Sequence, residues 1–432
     1  MLTFADLRRR EFARLDAQHH AYLDYTGAAL HGASQVRAHL ALLEEGLFGN
    51  PHSESAPSRA STAAMERARG MVLRFFDVDE STHDVVFTAN ATAAIKLVAE
   101  GYPFDASTSL VLSADNHNSV LGIREYARRA GARVRMLPLD EELRLRDPLA
   151  ILDAMECGRR IPRGLFAFPA QSNFSGVCHP LSLVAAAQAR GFDVLIDVAA
   201  YAASHAFSLR DCPADFAALS FYKLFGYPTG IGALVARREA LARLQRRWFA
   251  GGTVLYASVA ADRHRLRPGH EGFEEGTPDF LGLVALDAGF ALLDEVSMPR
   301  LTEHVGRLTR CFLDRLTSMP HVRVYGPRDL NDRGGTVAFN VDGVPHTVVE
   351  QRAREAGVSL RGGCFCNPGA SEAAFGLDSR LATCLDDLGD AFSAERLSAC
   401  AGRPVGAVRA SFGMATSEED VHRALEVIAS YR

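Results

Sequence analysis

No run of about eighteen apolar residues occurs anywhere in the 432-residue sequence, which argues against a membrane-spanning helix. The N-terminus also lacks the continuous apolar stretch of a signal peptide. Its first fifteen residues, MLTFADLRRREFARL, alternate charged and apolar positions at helical spacing and read as an amphipathic first helix. There is no concentrated block of lysine and arginine, and the formal net charge is -5, so neither nucleic acid nor an anionic membrane is expected as the main partner. The eight cysteines (157, 178, 212, 311, 364, 366, 384 and 400) lack the dense regular spacing of a secreted disulfide scaffold. Most are expected to be buried free thiols, and only Cys364 and Cys366 have unusual surroundings. No second C-x-C or histidine cluster lies at a suggestive spacing, so no metal is expected. Internal repeats and low-complexity linkers are absent too. A cytoplasmic protein is the expectation.

What is present describes a globular enzyme. The apolar share is 48% and the charged share 23%, and the length suggests two domains. Between about residues 60 and 240, short β-rich runs (DVVFT, SLVLSAD, RVRML, GLFAFPA, DVLIDVA, FAALSF) alternate with helical patterns at Ser61 to Phe76, Ala91 to Glu100, Val120 to Ala130 and Leu181 to Gly191. That alternation predicts an α/β unit with a mostly parallel sheet. Residues 267–280, RPGHEGFEEGTPDF, read as a functional loop, and a long helical segment starts near Leu281. GGTVAFNVDG, RGGCFCNPGA and AVRASFGMAT then build a smaller α+β part, which the N-terminal segment joins. The expected large domain spans 26–290, and the small one 1–25 plus 291–432.

In an open α/β sheet, ligands gather at the carboxyl ends of the strands. Lys223 follows an apolar strand and precedes a glycine-rich turn in LSFYKLFGYPTGIGAL. A Schiff-base lysine needs such a fixed, desolvated position, although a lysine at a strand end is more often a solvated structural residue. Asp197 ends DVLID, where an acid could pair with a pyridinium nitrogen; alone it reads equally well as a helix cap. TANATAAIKLV supplies a turn and a helix start near Thr92, suited to a phosphate, while Asn90 or Thr92 could equally be simple caps. His117 in SADNHNSV could stack on a cofactor ring, but an isolated histidine is more often structural.

YLDYTGAAL, GNPHS, TANATAAI, DNHNSV, QSNFSG, IDVAA, SFYKLFGYPTGIG, FEEGTPDF, RGGCFCNPGA and VRASFG occur in the order found in one family. Over nearly its whole length the sequence resembles the fold-type I pyridoxal-phosphate (PLP) enzymes of the class V aminotransferase superfamily, particularly the cysteine desulfurases. YKLFGYPTGIGAL and GCFCNPGA are most similar to the N-terminal desulfurase domain of eukaryotic molybdenum cofactor sulfurases. The resemblance implies a large domain with a mostly parallel seven-stranded sheet and a small α+β domain. It implies PLP as cofactor, with Lys223 forming the Schiff base, His117 stacked on the ring, Asp197 on the pyridine nitrogen and Asn173 near the phenolic oxygen. Phosphate would be held by Ala91, Thr92 and Ser220, with Thr277 reaching across from the second subunit of a homodimer. Arg409 matches the family's arginine for the substrate α-carboxylate, and Arg361 supports the same pocket; the blander reading of either is a surface ion pair.

Cys366 occupies the desulfurase nucleophile position, with Cys364 as runner-up. The resemblance thus implies L-cysteine desulfuration, with sulfur passing as a persulfide to an acceptor and alanine released. Its competitors are a PLP-dependent C–S lyase, epimerase or aminotransferase acting on another amino acid, and a non-catalytic sulfur-relay or scaffold protein. There are departures from the pattern. Ala200 stands where many desulfurases have glutamine, and Tyr222 where they have histidine. Ser371 or its neighbours replace a further cysteine of the molybdenum cofactor sulfurases. With the sequence ending at Arg432 there is no room for the latter's C-terminal domain, so the sulfur acceptor is expected to be a separate protein or small molecule.

Overall fold

Each of the six apolar runs read as strands forms one. In the computed structural model, which describes residues 2–155, 164–377, 380–403 and 405–431, the strands run as follows: β1 (Ala21–Tyr22), β2 (His83–Thr88), β3 (Ser109–Ser113), β4 (Arg133–Leu137), β5 (Gly164–Pro169), β6 (Phe192–Asp197), β7 (Phe216–Ser220), β8 (Gly232–Arg237), β9 (Val254–Ser258), β10 (Arg263–Leu266), β11 (Val322–Tyr325), β12 (Thr336–Val341), β13 (Val358–Ser359), β14 (Arg361–Gly363) and β15 (Ala407–Ser411). Seven of them make one sheet in the order β2-β8-β7-β6-β5-β3-β4. All its neighbours pair parallel except β8, which is antiparallel to both β2 and β7.

Both faces of this sheet are covered, which explains why its central strands read as unbroken apolar runs. Val85, Phe87, Phe166, Phe168, Val194 and Ile196 pack into one buried cluster. The alternating residues Val86, Leu165, Ala167 and Leu195 pack into another, against Ala94, Ile95 and Val98 of the helix Ala91–Gly101. Because β2, β3, β5, β6 and β7 point the same way, their carboxyl ends share one edge.

A second sheet, β11-β12-β15-β14, is antiparallel throughout. The N-terminal segment joins this part of the molecule through β1, which pairs with β13. The protein is therefore α/β, with a seven-stranded, mostly parallel sheet and a small antiparallel one. No described helix is long and apolar enough to cross a membrane.

Some expectations need correction. The single first helix is two, Phe4–Glu11 and Ala13–Ala17, separated at the wholly buried Phe12. The long segment from Leu281 is three helices, Phe280–Leu283, Leu286–Val296 and Met298–Thr317. Ser297, with φ +63°, cannot continue a right-handed helix, and Pro299 opens the next one. The cysteines are not mostly buried thiols either. Cys384 and Cys400 form a disulfide between the helices Arg380–Leu388 and Ala394–Ala401, whose own small core is too slight to hold them alone. Among the free cysteines of the described residues only Cys212 is buried, while Cys364 and Cys366 are exposed; Cys157 lies outside the described residues.

Candidate active site

A cavity of about 180 Å³ opens at the carboxyl edge of the large sheet. It is lined by Ala91 and Thr92 past β2, His117 past β3, Asn173 past β5, Asp197 at the end of β6, and Ser220 and Lys223 at the end of β7. Seven of the eight residues expected to bind the cofactor thus meet in one place. The eighth, Thr277, does not line this cavity. It is exposed and accepts a hydrogen bond from Asn50 Nδ2 at 3.3 Å.

The turn at residues 90–92 is built for an anion. Asn90 caps the helix Ala91–Gly101 by accepting from Ala93 N–H at 3.0 Å, and Ser220 Oγ accepts from Ala91 N–H at 2.8 Å. Thr92 Oγ1 lies 2.7 Å from Ser119 Oγ. The first turn therefore presents amide dipoles and hydroxyls together. Gly232 of β8 runs directly beneath, where an added Cβ would sit 2.5 Å from the Asn90 carbonyl carbon. Only glycine permits that approach.

Lys223 lines this cavity and a neighbouring one that Tyr25, Gln171 and Thr336 also line. Burial pushes its pKa down, and Arg409 pushes the same way, while Asp197, Asp24 and Cys366 oppose. The His117 ring is also held below its ordinary pKa, chiefly by burial, with Lys223 and Arg409 adding to the effect and Asp197 opposing it. Burial thus favours the neutral imidazole. Its Nδ1 accepts from Ser119 N–H at 3.1 Å. Asp197 Oδ1 accepts from Ala199 N–H at 3.0 Å, which fixes the carboxylate at the strand end. Ala200 and Tyr222 also line the cavity.

This donor set fits PLP: a phosphate cradle at one end, a fixed acid among the strand ends, an imidazole ring for stacking, and a desolvated amine. Composition points the same way, because the chain contains only two lysines, Lys96 and Lys223. Lys96 is exposed and pairs with Glu100 at 3.3 Å.

The cysteine loop adjoins the cavity through Asn173. Phe365 and Cys366 both take left-handed backbone angles, φ +56° and +57°, rare for two successive side-chain-bearing residues. Outside contacts hold them so. Asn173 Nδ2 donates to the Phe365 carbonyl at 2.6 Å, and Asn118 N–H donates to the Cys366 carbonyl at 2.8 Å. Asn367 Nδ2 donates to Asp115 Oδ1 at 2.7 Å and to Asn173 Oδ1 at 3.0 Å. Asp115 itself is wholly buried and also receives Ser172 Oγ–H at 2.7 Å, with His179 Nε2 2.8 Å from its second oxygen.

Arg409 is buried, so it is no surface ion pair, whereas Arg361 is exposed. Arg361 and Arg409 stand directly opposite each other on β14 and β15, a placement that would be repulsive without a counter-charge. Asp24 supplies it. Arg361 Nε reaches Asp24 Oδ1 at 3.1 Å and Oδ2 at 2.9 Å, its Nη2 reaches Oδ2 at 2.5 Å, and Arg409 Nη2 reaches Oδ1 at 2.9 Å. Arg409 also donates to the Asn173 carbonyl at 2.8 Å and lies over the Phe365 ring, 4.6 Å from its centroid. Asp24 and Asp115 were not singled out from sequence, though both lie inside the motifs YLDYTGAAL and DNHNSV. Among the described residues, no group of three or more His, Cys, Asp or Glu could hold a metal ion.

Known proteins bear on this geometry. The profile of the Aminotransferase class-V family matches residues 21–424. The molybdenum cofactor sulfurase of Solanum lycopersicum is 34% identical over 98% of this chain, which covers 57% of that protein. The chain thus spans little more than half the length of the curated relative it matches. The apo cysteine desulfurase of Thermococcus onnurineus NA1 superimposes with a TM-score of 0.83 at 25% identity, covering 100% of this chain and 98% of that one. A mutant of the protein C-DES, solved with glycine covalently linked to its PLP cofactor, shares the fold at TM-score 0.75 and 19% identity, over 98% of each chain.

Proposed function

The chain belongs to the class V aminotransferase family, with the fold-type I architecture of cysteine desulfurases, and on that premise we propose that it is a PLP enzyme that desulfurates L-cysteine, leaving a persulfide on Cys366 and releasing L-alanine. The observation that carries the reading is that Ala91, Thr92, His117, Asn173, Asp197, Ser220 and Lys223 line one cavity.

PLP, when bound, supplies an electron sink for charge developing at the substrate Cα. Ala91, Thr92 and Ser220 would hold its phosphate, Asp197 its ring nitrogen and His117 its face, with Asn173 near the phenolic oxygen. Arg409, supported by Arg361, takes the α-carboxylate. Lys223 Nζ, its pKa lowered by burial, moves the proton at Cα and returns one to the product. The thiolate of Cys366 attacks the substrate sulfur; the new S–S bond forms as the substrate C–S bond breaks, and its electron pair is protonated at Cβ. The balance is L-cysteine plus thiol giving L-alanine plus persulfide. The Cys366 persulfide is exposed to an acceptor molecule because the thiol is at the surface. In a homodimer, a second copy of the chain would bring Thr277 to the phosphate, since Thr277 does not line the cavity of its own chain.

Product analysis tests this. PLP-loaded protein with L-cysteine should yield alanine and, with a reductant, sulfide; Cys366→Ala should abolish both while retaining the cofactor. Pyruvate and ammonia in place of alanine would assign the lyase reading instead, and full turnover by the Cys366→Ala variant would overturn the role of that thiol.

A further inference from the structure

Asp24 carries no role in the reading above, yet it is the group on which the two arginines converge. Its side chain is buried with 8% of the residue exposed, and it lies between strands contributed by distant parts of the chain. A guanidinium has five N–H groups in a rigid fork. In Arg409 one Nη1 hydrogen goes to the Asn173 carbonyl and one Nη2 hydrogen goes to Asp24. Phe365 covers a face of the fork. That leaves a hydrogen on each terminal nitrogen and the buried, unpartnered Nε–H free to meet a carboxylate. Charge leads to the same conclusion: two guanidiniums and one carboxylate leave a single net positive charge.

From this geometry we propose that Asp24 is a positioning residue for substrate, aligning Arg409 and Arg361 so that they accept one monoanionic α-carboxylate. It does so by engaging both cations from the side of the N-terminal segment, holding the Arg409 fork in a fixed plane. It also limits the pocket to a single added negative charge, so amino acids whose side chains carry a second carboxylate are disfavoured. The proposal rests on the amino-acid reading of the site and deepens it.

The test compares Asp24→Asn and Asp24→Glu with the wild-type protein, all loaded with PLP. Steady-state turnover of L-cysteine is followed alongside titration of the cofactor absorbance with L-cysteine, L-alanine and L-aspartate. Asp24→Asn should raise KM and the half-saturating amino-acid concentration by at least about tenfold, with kcat lowered by less than about threefold, because a ground-state contact shared with the transition state has been weakened. Asp24→Glu, which restores the charge, should recover part of the affinity. If Asp24→Asn does not fold, Asp24→Glu alone decides: a raised KM with retained kcat supports the role. Unchanged KM in a folded variant, or kcat lost at unchanged KM, overturns it. The titration separates this failure from failure of the desulfurase reading. Wild-type protein that binds alanine but yields none from cysteine refutes desulfuration, while the variants' shifted titrations still support Asp24.

Discussion

Asn367 Nδ2 donates to the buried carboxylate of Asp115 at 2.7 Å, so the residue immediately after Cys366 is anchored to the loop that carries His117. The same side chain accepts from Ala370 N–H at 3.1 Å as the cap of the helix Pro368–Phe375. A reactive thiol on a glycine-rich loop is thereby given one defined approach to the cavity.

Asn367→Ala removes both contacts and the bond to Asn173 Oδ1. The lost cap and the acceptor left short of a partner on Asp115 together cost about 2 kcal/mol of stability. Turnover of L-cysteine should fall roughly tenfold or more, because the thiol is no longer held in place. Amino-acid affinity should change little, since the arginines keep their partners. Denaturant melts and KM against kcat check these outcomes.

The disulfide between Cys384 and Cys400 closes a loop with a sequence separation of 16. A loop of about that size is stabilised by about 3 kcal/mol relative to its open form. Alkylation of unfolded, unreduced protein should leave Cys384 and Cys400 unlabelled until reductant is added. Cys400→Ser should speed amide exchange in residues 380–401 and leave L-cysteine turnover unaltered.

His304 gives the stability an acid limb. Its ring stacks on Phe4, 3.8 Å between centroids, and burial pushes its pKa down to about 4. Its unfolded value is about 6.5. Between these values the unfolded chain binds a proton that the folded one does not, so this contribution is fully present above about pH 6.5 and is lost as pH falls toward about 4. The loss approaches about 3 kcal/mol at the low end. Urea unfolding at several pH values should show that slope, and His304→Gln should flatten it.

How much of this was legible in the sequence follows from what each residue depends on. Asp197, Ser220 and Lys223 each end or follow an apolar run, and a parallel sheet brings such positions to one edge whatever the helices do. The phosphate turn is local, so its cap and small residues read directly. Asp24 and Asp115 could not be read as hubs, because their partners lie 385 and 252 positions away. The break at Ser297 was hidden because nothing in its identity announces a positive φ. The Cys384–Cys400 pair depends on two helices packing together, which the spacing of the cysteines does not encode. Thr277 lies apart from the cavity of its own chain, and its expected role depends on a second copy.

The attachment of the cofactor is the point on which everything else depends, and the presence of only two lysines makes it simple to measure. PLP-loaded protein is reduced with borohydride, digested and mapped by mass spectrometry. A pyridoxyl mass on Lys223, with Lys96 unmodified, is the predicted result, and Lys223→Ala should carry none. Stoichiometric label on Lys96, or no stable label on Lys223, would contradict the account.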